Sequence, residues 1–432
     1  MRSVGKGGAL ALVATAMLIA ACSSSGGGSK GGGRGGDKAT LTWWHNADRN
    51  PGRATWQQVA DAYQAAHPNV TIKVSPYQNE QFKTKIPLAL QSGNPPDIYQ
   101  QWGGGALITQ TQSGKVMDIT QAVSSWVSDQ IGNAAKGWQL DGKQYGIPYD
   151  LHIVGFWYRK DLFSQAGITS PPATIDDLNA DVTKLKAGGI APIAIGSKDQ
   201  WPDAFWWEYF VLRECSQDTV TQAMKDQKAA DPCFVKAGQD TKAFLDTKPF
   251  QASFLATAAQ QGAGSSAGLV ANGKAAMELQ GDWEIPTMLQ LTPDKAYASK
   301  LGWFPCPAVT GGGGDPHAAL GGGDGFSCTT KATAACPDFL KYISSTEVQM
   351  KLVQSTTATL PSNPAAVSAI TDPTLKQVEQ YLKQTPFNQT YFDQALSTSV
   401  GLALDAAIAD FFAGKGSPES IAKSIAKAAA QQ

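Results

Sequence analysis

Cysteine pairs at metal-binding spacing are absent. The chain has six cysteines and no C-x-x-C, and its four histidines, at 45, 67, 152 and 317, lie far in sequence from the later cysteines. A Cys/His zinc site therefore has no framework, and neither a metal nor a cofactor is expected. Charge is scarce as well: 16% of residues are charged and the net charge is −1. A nucleic-acid binder would carry a basic stripe, so nucleic acid is not an expected partner. Past the N-terminal segment no run reaches the ~18 apolar residues that a membrane span needs. No internal repeat stands out.

Tryptophan is what the chain has in excess. There are 12 Trp against 7 Met. The stretch "DQWPDAFWWEYF", 199–210, places Trp201, Phe205, Trp206, Trp207, Tyr209 and Phe210 within twelve positions. Rings at that spacing cannot share one helical stripe or strand face. Some are expected to present flat faces to a ligand. At 432 residues the chain is long for one core, so two lobes are expected.

The N-terminus reads as an export signal. Arg2 and Lys6 precede the apolar run "ALALVATAMLIA", which is too short to span a bilayer. "IAAC", Ile19–Cys22, fits a lipobox, with residues 1–21 as signal peptide and Cys22 as the lipidated residue. The Gly/Ser-rich stretch that follows, to residue 38, is a flexible tether with a reach of about 20–24 Å. An exported chain can oxidise its cysteines. Cys215 and Cys233 flank a polar stretch and are expected to close it as a disulfide. Of Cys306, Cys328 and Cys336, two can pair and one is left over, and the sequence does not say which.

Strand and helix patterns alternate from residue 39 onward. "ATLTWWH", "VTIKVSPY" and "DIYQQW" read as strands, separated by helices over 53–68 and 80–93, the latter interrupted at Pro87. This β-α-β-α-β order is that of an open α/β sheet. Thr174 and Asp177 form a capping box for a helix over 174–189. In such sheets ligands bind beyond the carboxyl ends of the strands, so "HNADRN", "QQWGGG" and "SKDQWP" hold the candidate residues. Trp102 beside Gln101, Trp201 beside Asp199, and Trp283 beside Asp282 each pair a flat apolar face with a polar group. A sugar ring needs that pairing, because its C–H faces seek apolar surface while every buried hydroxyl without a partner costs about 1–3 kcal/mol.

The motifs "HPNVTIKV", "SGNPPDIYQQWGGG", "DGKQYGIPYD", "VGFWYRKDLFSQAGI", "ANGKAAMELQGDWE", "LGGGDGF" and "FLKYISSTEVQ" occur in that order. Together they resemble the carbohydrate-binding lipoproteins of bacterial ABC importers, in the extracellular solute-binding family that includes the maltose-binding protein. The resemblance covers about residues 39–430. It implies a two-lobe, periplasmic-binding-protein-like α/β fold of type II, with a multi-strand hinge and a sugar cleft between the lobes. It places lobe 1 at 39–149 and 278–321, lobe 2 at 150–277 and 322–432, and hinges near Tyr149, Met277 and Gly322. It matches Trp283 to a sugar-stacking position, and Trp102, Asp150 and Asp324 to the cleft lining, with His45 and Asn46 following the first strand. Trp201 is expected to enter the cleft and most of Phe205, Trp206, Trp207, Tyr209 and Phe210 to pack on the sheet of the second lobe, with Trp206 or Trp207 the candidates among them for the cleft. Arg159, which departs from the family pattern, is expected outside it. The implied protein is a monomeric, non-catalytic receptor anchored to the outer face of the cell membrane, delivering an oligosaccharide to an ABC permease. "SKDQWP" and "GGGDGF" resemble stretches in relatives that take β-linked plant or cell-wall saccharides such as xylobiose or cellobiose.

Two motifs favour other chemistry. "GSSAG", 264–268, matches a nucleophile elbow around Ser266, but what precedes it is polar and helix-like rather than a strand. "GLVANGKA", 268–275, approaches a P-loop but has Ala275 where Ser or Thr would hold magnesium. A secreted esterase or glycosidase stands as the alternative to the receptor.

Overall fold

The computed structural model describes residues 38–357 and 359–432; the export signal, Cys22 and the tether lie outside them. Two sheets dominate. The first runs in the order Val70–Pro76, Ala39–His45, Ile98–Gln101, Gly325–Cys328, Ile147–Pro148. Its first three strands are parallel, Gly325–Cys328 runs antiparallel to them, and Ile147–Pro148 pairs antiparallel to Gly325–Cys328. The connecting helices, Gly52–Ala66 and Asn79–Ser92, follow the apolar spacing in the sequence, and the second continues through Pro87 instead of breaking there.

The second sheet is built on one long strand, Asp150–Arg159. Ala275–Gly281 and Leu301–Phe304 both pair with its C-terminal half, and Ala319–Gly322 and Leu360–Pro361 pair with its N-terminal half. Ala191–Ala194 and Asn388–Thr390 extend the sheet. The two sheets carry separate cores. Trp43, Trp56 and Phe339 belong to the first, whereas Phe156, Trp207 and Phe392 belong to the largest core of the second. Both sheets lie in one compact unit, Lys38–Gln432.

The segment assignment differs from the one expected. Residues 278–321 were expected in the first lobe, yet Ala275–Gly281 and Leu301–Phe304 hydrogen-bond to Asp150–Arg159 in the second sheet. Gly325–Cys328 joins the first sheet, and the helices Ala335–Ile343 and Thr346–Gln354 place Phe339 and Leu352 in its core. The chain crosses at Tyr149, between Gly322 and Gly325, and between the helix ending at Gln354 and the strand at Leu360. Met277 is no crossing: it sits inside a strand bonded on both sides. Strand period reveals a strand but not its neighbour, and here the neighbours are out of chain order.

Cys215 and Cys233 are bonded, and Cys328 pairs with Cys336, leaving Cys306 as a buried thiol. Among the described residues no helix is long and apolar enough to cross a membrane.

Candidate functional site

A cavity of about 250 Å³ opens between the two sheets' lobes. From the first lobe, Asn46, Asp48 and Arg49 reach it from the end of the first strand, Asn79 and Lys83 from the helix Asn79–Ser92 that follows the second strand, and Trp56 and Trp102 supply rings. From the second lobe come Trp201, Phe205, Trp283 and Tyr391. The crossing segments add Tyr149, Asp324 and Thr359. Four tryptophans thus face one cavity whose floor is polar.

The floor is organised around His152. Its Nδ1 lies 3.0 Å from Asp282 Oδ2, and its Nε2 lies 3.2 Å from Asp150 Oδ1 and 3.6 Å from Asp324 Oδ2. Asp282 is fully buried and also accepts from the Ile153 N–H at 2.8 Å and from the Thr359 hydroxyl. Burial works against charge on His152, but the Asp150 and Asp282 carboxylates outweigh it and hold the imidazole well above its usual range. Burial pushes Asp150 up to about 7, with His152 opposing the rise. Asp324 accepts from the Tyr149 hydroxyl at 3.1 Å, so a half-buried carboxylate is held pointing at the cavity.

The lobes touch across this cavity. Trp201 Nε1 donates to Glu80 Oε1 at 3.3 Å, and Arg49 donates to the Gln260 carbonyl at 3.1 Å. Lys83 sits 5.6 Å over the Trp201 ring. Deeper in, the backbone of Gly104 and Gly105 meets that of 394–397: a Cβ on Gly105 would lie 1.9 Å from the Leu396 carbonyl oxygen. "GGG" after Trp102 therefore allows the two lobes to come this close.

Of the ten candidate ligand residues, Asn46, Trp102, Trp201, Trp283 and Asp324 line the cavity. The other five do not. His45 is fully buried beneath it; burial drops its imidazole to about 3, and its Nδ1 accepts from the Ala47 N–H. Gln101 is spent on the Gly103 N–H and on Gln110. Asp150 and Asp282 are buried on either side of the His152 ring, Asp150 at Nε2 and Asp282 at Nδ1. Asp199 accepts from the Ala259 N–H at 2.8 Å, bracing a second-lobe loop. In the aromatic stretch, Trp206 stacks on Phe244 and Trp207 is fully buried against Phe392, so neither shares the cavity; Phe205 does. Sequence reasoning missed His152, Lys83, Tyr391 and Asp393. A histidine within the apolar strand "LHIVGFW" was the one visible signal among these.

Ser266 has no exposed surface and donates to the Ala259 carbonyl at 3.0 Å. It opens a six-residue helix, and "NGKA" is the turn into the strand Ala275–Gly281. Arg159 bonds the Val270 and Ala271 carbonyls and Asp161, away from the cavity.

Two α/β lobes joined by several crossings around a lined cleft define the two-lobe solute-binding protein fold. Residues 46–350 match the family described as bacterial extracellular solute-binding protein, and the chain belongs to it. An uncharacterized ABC transporter extracellular-binding protein of Pyrococcus horikoshii is 25% identical over 274 residues, 61% of this chain; the match spans 57% of that protein's length. Among solved structures, one from work on xylan utilization by the thermophilic bacterium Caldanaerobius polysaccharolyticus superposes with a TM-score of 0.83 at 24% identity. It covers 90% of this chain and 99% of that one. A chitin oligosaccharide binding protein superposes at 0.81 with 21% identity, covering 92% and 99%.

Proposed function

We propose that this chain is a lipid-anchored, monomeric receptor that captures a short oligosaccharide between its lobes and presents it to an ABC permease at the outer face of the membrane. The observation that carries the reading is the cavity itself: Trp102, Trp201 and Trp283 offer ring faces around a floor where Asp324 and Asn46 offer polar atoms. Ring stacking takes the C–H faces of a sugar, and charge-assisted bonds take its hydroxyls. Closure then buries the sugar, and the closed form is what the permease selects. Two structural neighbours come from work on xylan utilization and on chitin oligosaccharide binding, and we take a β-linked disaccharide such as xylobiose or cellobiose as the ligand class.

The role is binding without turnover. The buried Ser266 has no access to a substrate, and Asp150 is buried against His152. Titration of a panel of di- and trisaccharides, followed by tryptophan fluorescence with product analysis on the same samples, tests this. Saturable change with one sugar and no product supports the receptor. Product formation overturns it in favour of a glycosidase.

A further inference from the structure

His152 is held as metal-binding histidines are held. Asp282 engages Nδ1 and is itself fixed by Ile153 and Thr359. A carboxylate behind one ring nitrogen orients the other outward, and metal-ligating histidines are built that way. Here the outward nitrogen, Nε2, faces Asp150 and Asp324. One donor atom from each of Asp150, His152 and Asp324 lies within 4.8 Å of the other two. Three atoms each about 2.0–2.2 Å from a common ion sit roughly 3–4 Å apart, so a small contraction closes the set.

We propose that Asp150, His152 and Asp324 form a three-ligand site for a first-row divalent metal ion of the Zn²⁺ or Mn²⁺ class on the floor of the cleft, with its open positions facing the cavity. Three carboxylates, those of Asp150, Asp282 and Asp324, surround the one imidazole. Access favours the site, since His152 and Asp324 both line the cavity. Tyr391 lines the same cavity, and its buried hydroxyl has no partner. That hydroxyl is available to a water or sugar oxygen on the ion. One imidazole with two carboxylates suits a zinc-like ion. Calcium would seek six to eight oxygens.

The test uses the metal alone, so its outcome is separate from the sugar reading. Chelator-treated full-chain protein is dialysed to equilibrium against Zn²⁺ and, separately, Mn²⁺, and bound metal is measured by elemental analysis. One ion per chain is expected. Asp324→Asn and His152→Gln should each weaken binding at least tenfold, while Asp410→Asn, an exposed acid elsewhere, should leave it unchanged. Asp324 is the half-buried member of the set, so its variant is the one expected to fold, checked by circular dichroism. Less than one ion per chain for the wild type, or wild-type metal affinity in folded Asp324→Asn, overturns the proposal and leaves the cluster as a hydrogen-bonded histidine.

Discussion

Trp201 of the second lobe donates its indole N–H to Glu80 of the first at 3.3 Å, with Lys83 5.6 Å above the same ring. One side chain thereby lines the cavity and bridges the lobes that form it. Trp201→Phe keeps a ring face and deletes the donor. A hydrogen bond of this kind is worth about 1 kcal/mol net, so saccharide affinity should fall roughly fivefold, read by calorimetry. An unchanged affinity would mean that this bridge plays no part in the bound form.

Gly105 controls how closely the lobes approach. The Leu396 carbonyl occupies the place where a Cβ would stand, so Gly105→Ala should hold the cleft ajar. Small-angle scattering should then show no ligand-dependent shrinkage, and affinity should drop while the melting temperature changes little. Normal shrinkage in the variant would contradict this.

The Cys215–Cys233 bridge spans 18 residues of sequence. Closing a loop of that length is worth about 3 kcal/mol in the chain-entropy model. Replacing both cysteines by Ala should lower stability by about that amount without moving any cavity-lining residue. Denaturant unfolding measures the loss, and ligand affinity of the folded fraction should be retained.

Glu278 and Glu284 are buried and their carboxylate oxygens lack hydrogen-bond partners. Burial pushes Glu284 up to about 8, and burial with the neighbouring Glu284 charge holds Glu278 well above its range. An unfolded glutamate titrates near 4.3. Between about 4.3 and 8 the folded chain therefore binds more protons than the unfolded one, and stability falls as pH rises through that window. The melting temperature should decline from pH 5 to pH 8. Glu284→Gln should flatten the decline, by roughly 2–4 °C for each kcal/mol of relieved charge burial. A wild-type and variant pair with parallel pH profiles would refute it.

The first sheet was legible because its strands and helices alternate in chain order and each buries one face. The second was not, because Ala275–Gly281 lies between two strands from earlier in the chain, and periodicity carries no pairing information. At the site, the strand-end rule located Trp102, Trp201 and Asn46, yet the same rule selected His45, Gln101 and Asp199. Polar side chains at strand ends serve two purposes, facing a ligand or satisfying nearby backbone groups, and only packing decides between them. Gln101 bonds the N–H two residues on, a local use that composition does not reveal. Tyr391 and Asp393 reach the cavity from a segment far along the chain, a placement set by the crossing near residue 360.

Trp283→Ala addresses the central claim most directly. The ring lines the cavity, stands edge-on to His152 at 5.0 Å and lies beside Trp201 and Tyr391. Anchoring aromatics of this kind are worth at least about 2 kcal/mol. Calorimetry of wild type and variant against xylobiose, cellobiose and longer oligosaccharides should show one sugar binding the wild type at one site per chain. The same sugar should bind folded Trp283→Ala about thirtyfold more weakly. Equal affinity in the two proteins would contradict capture in this cleft.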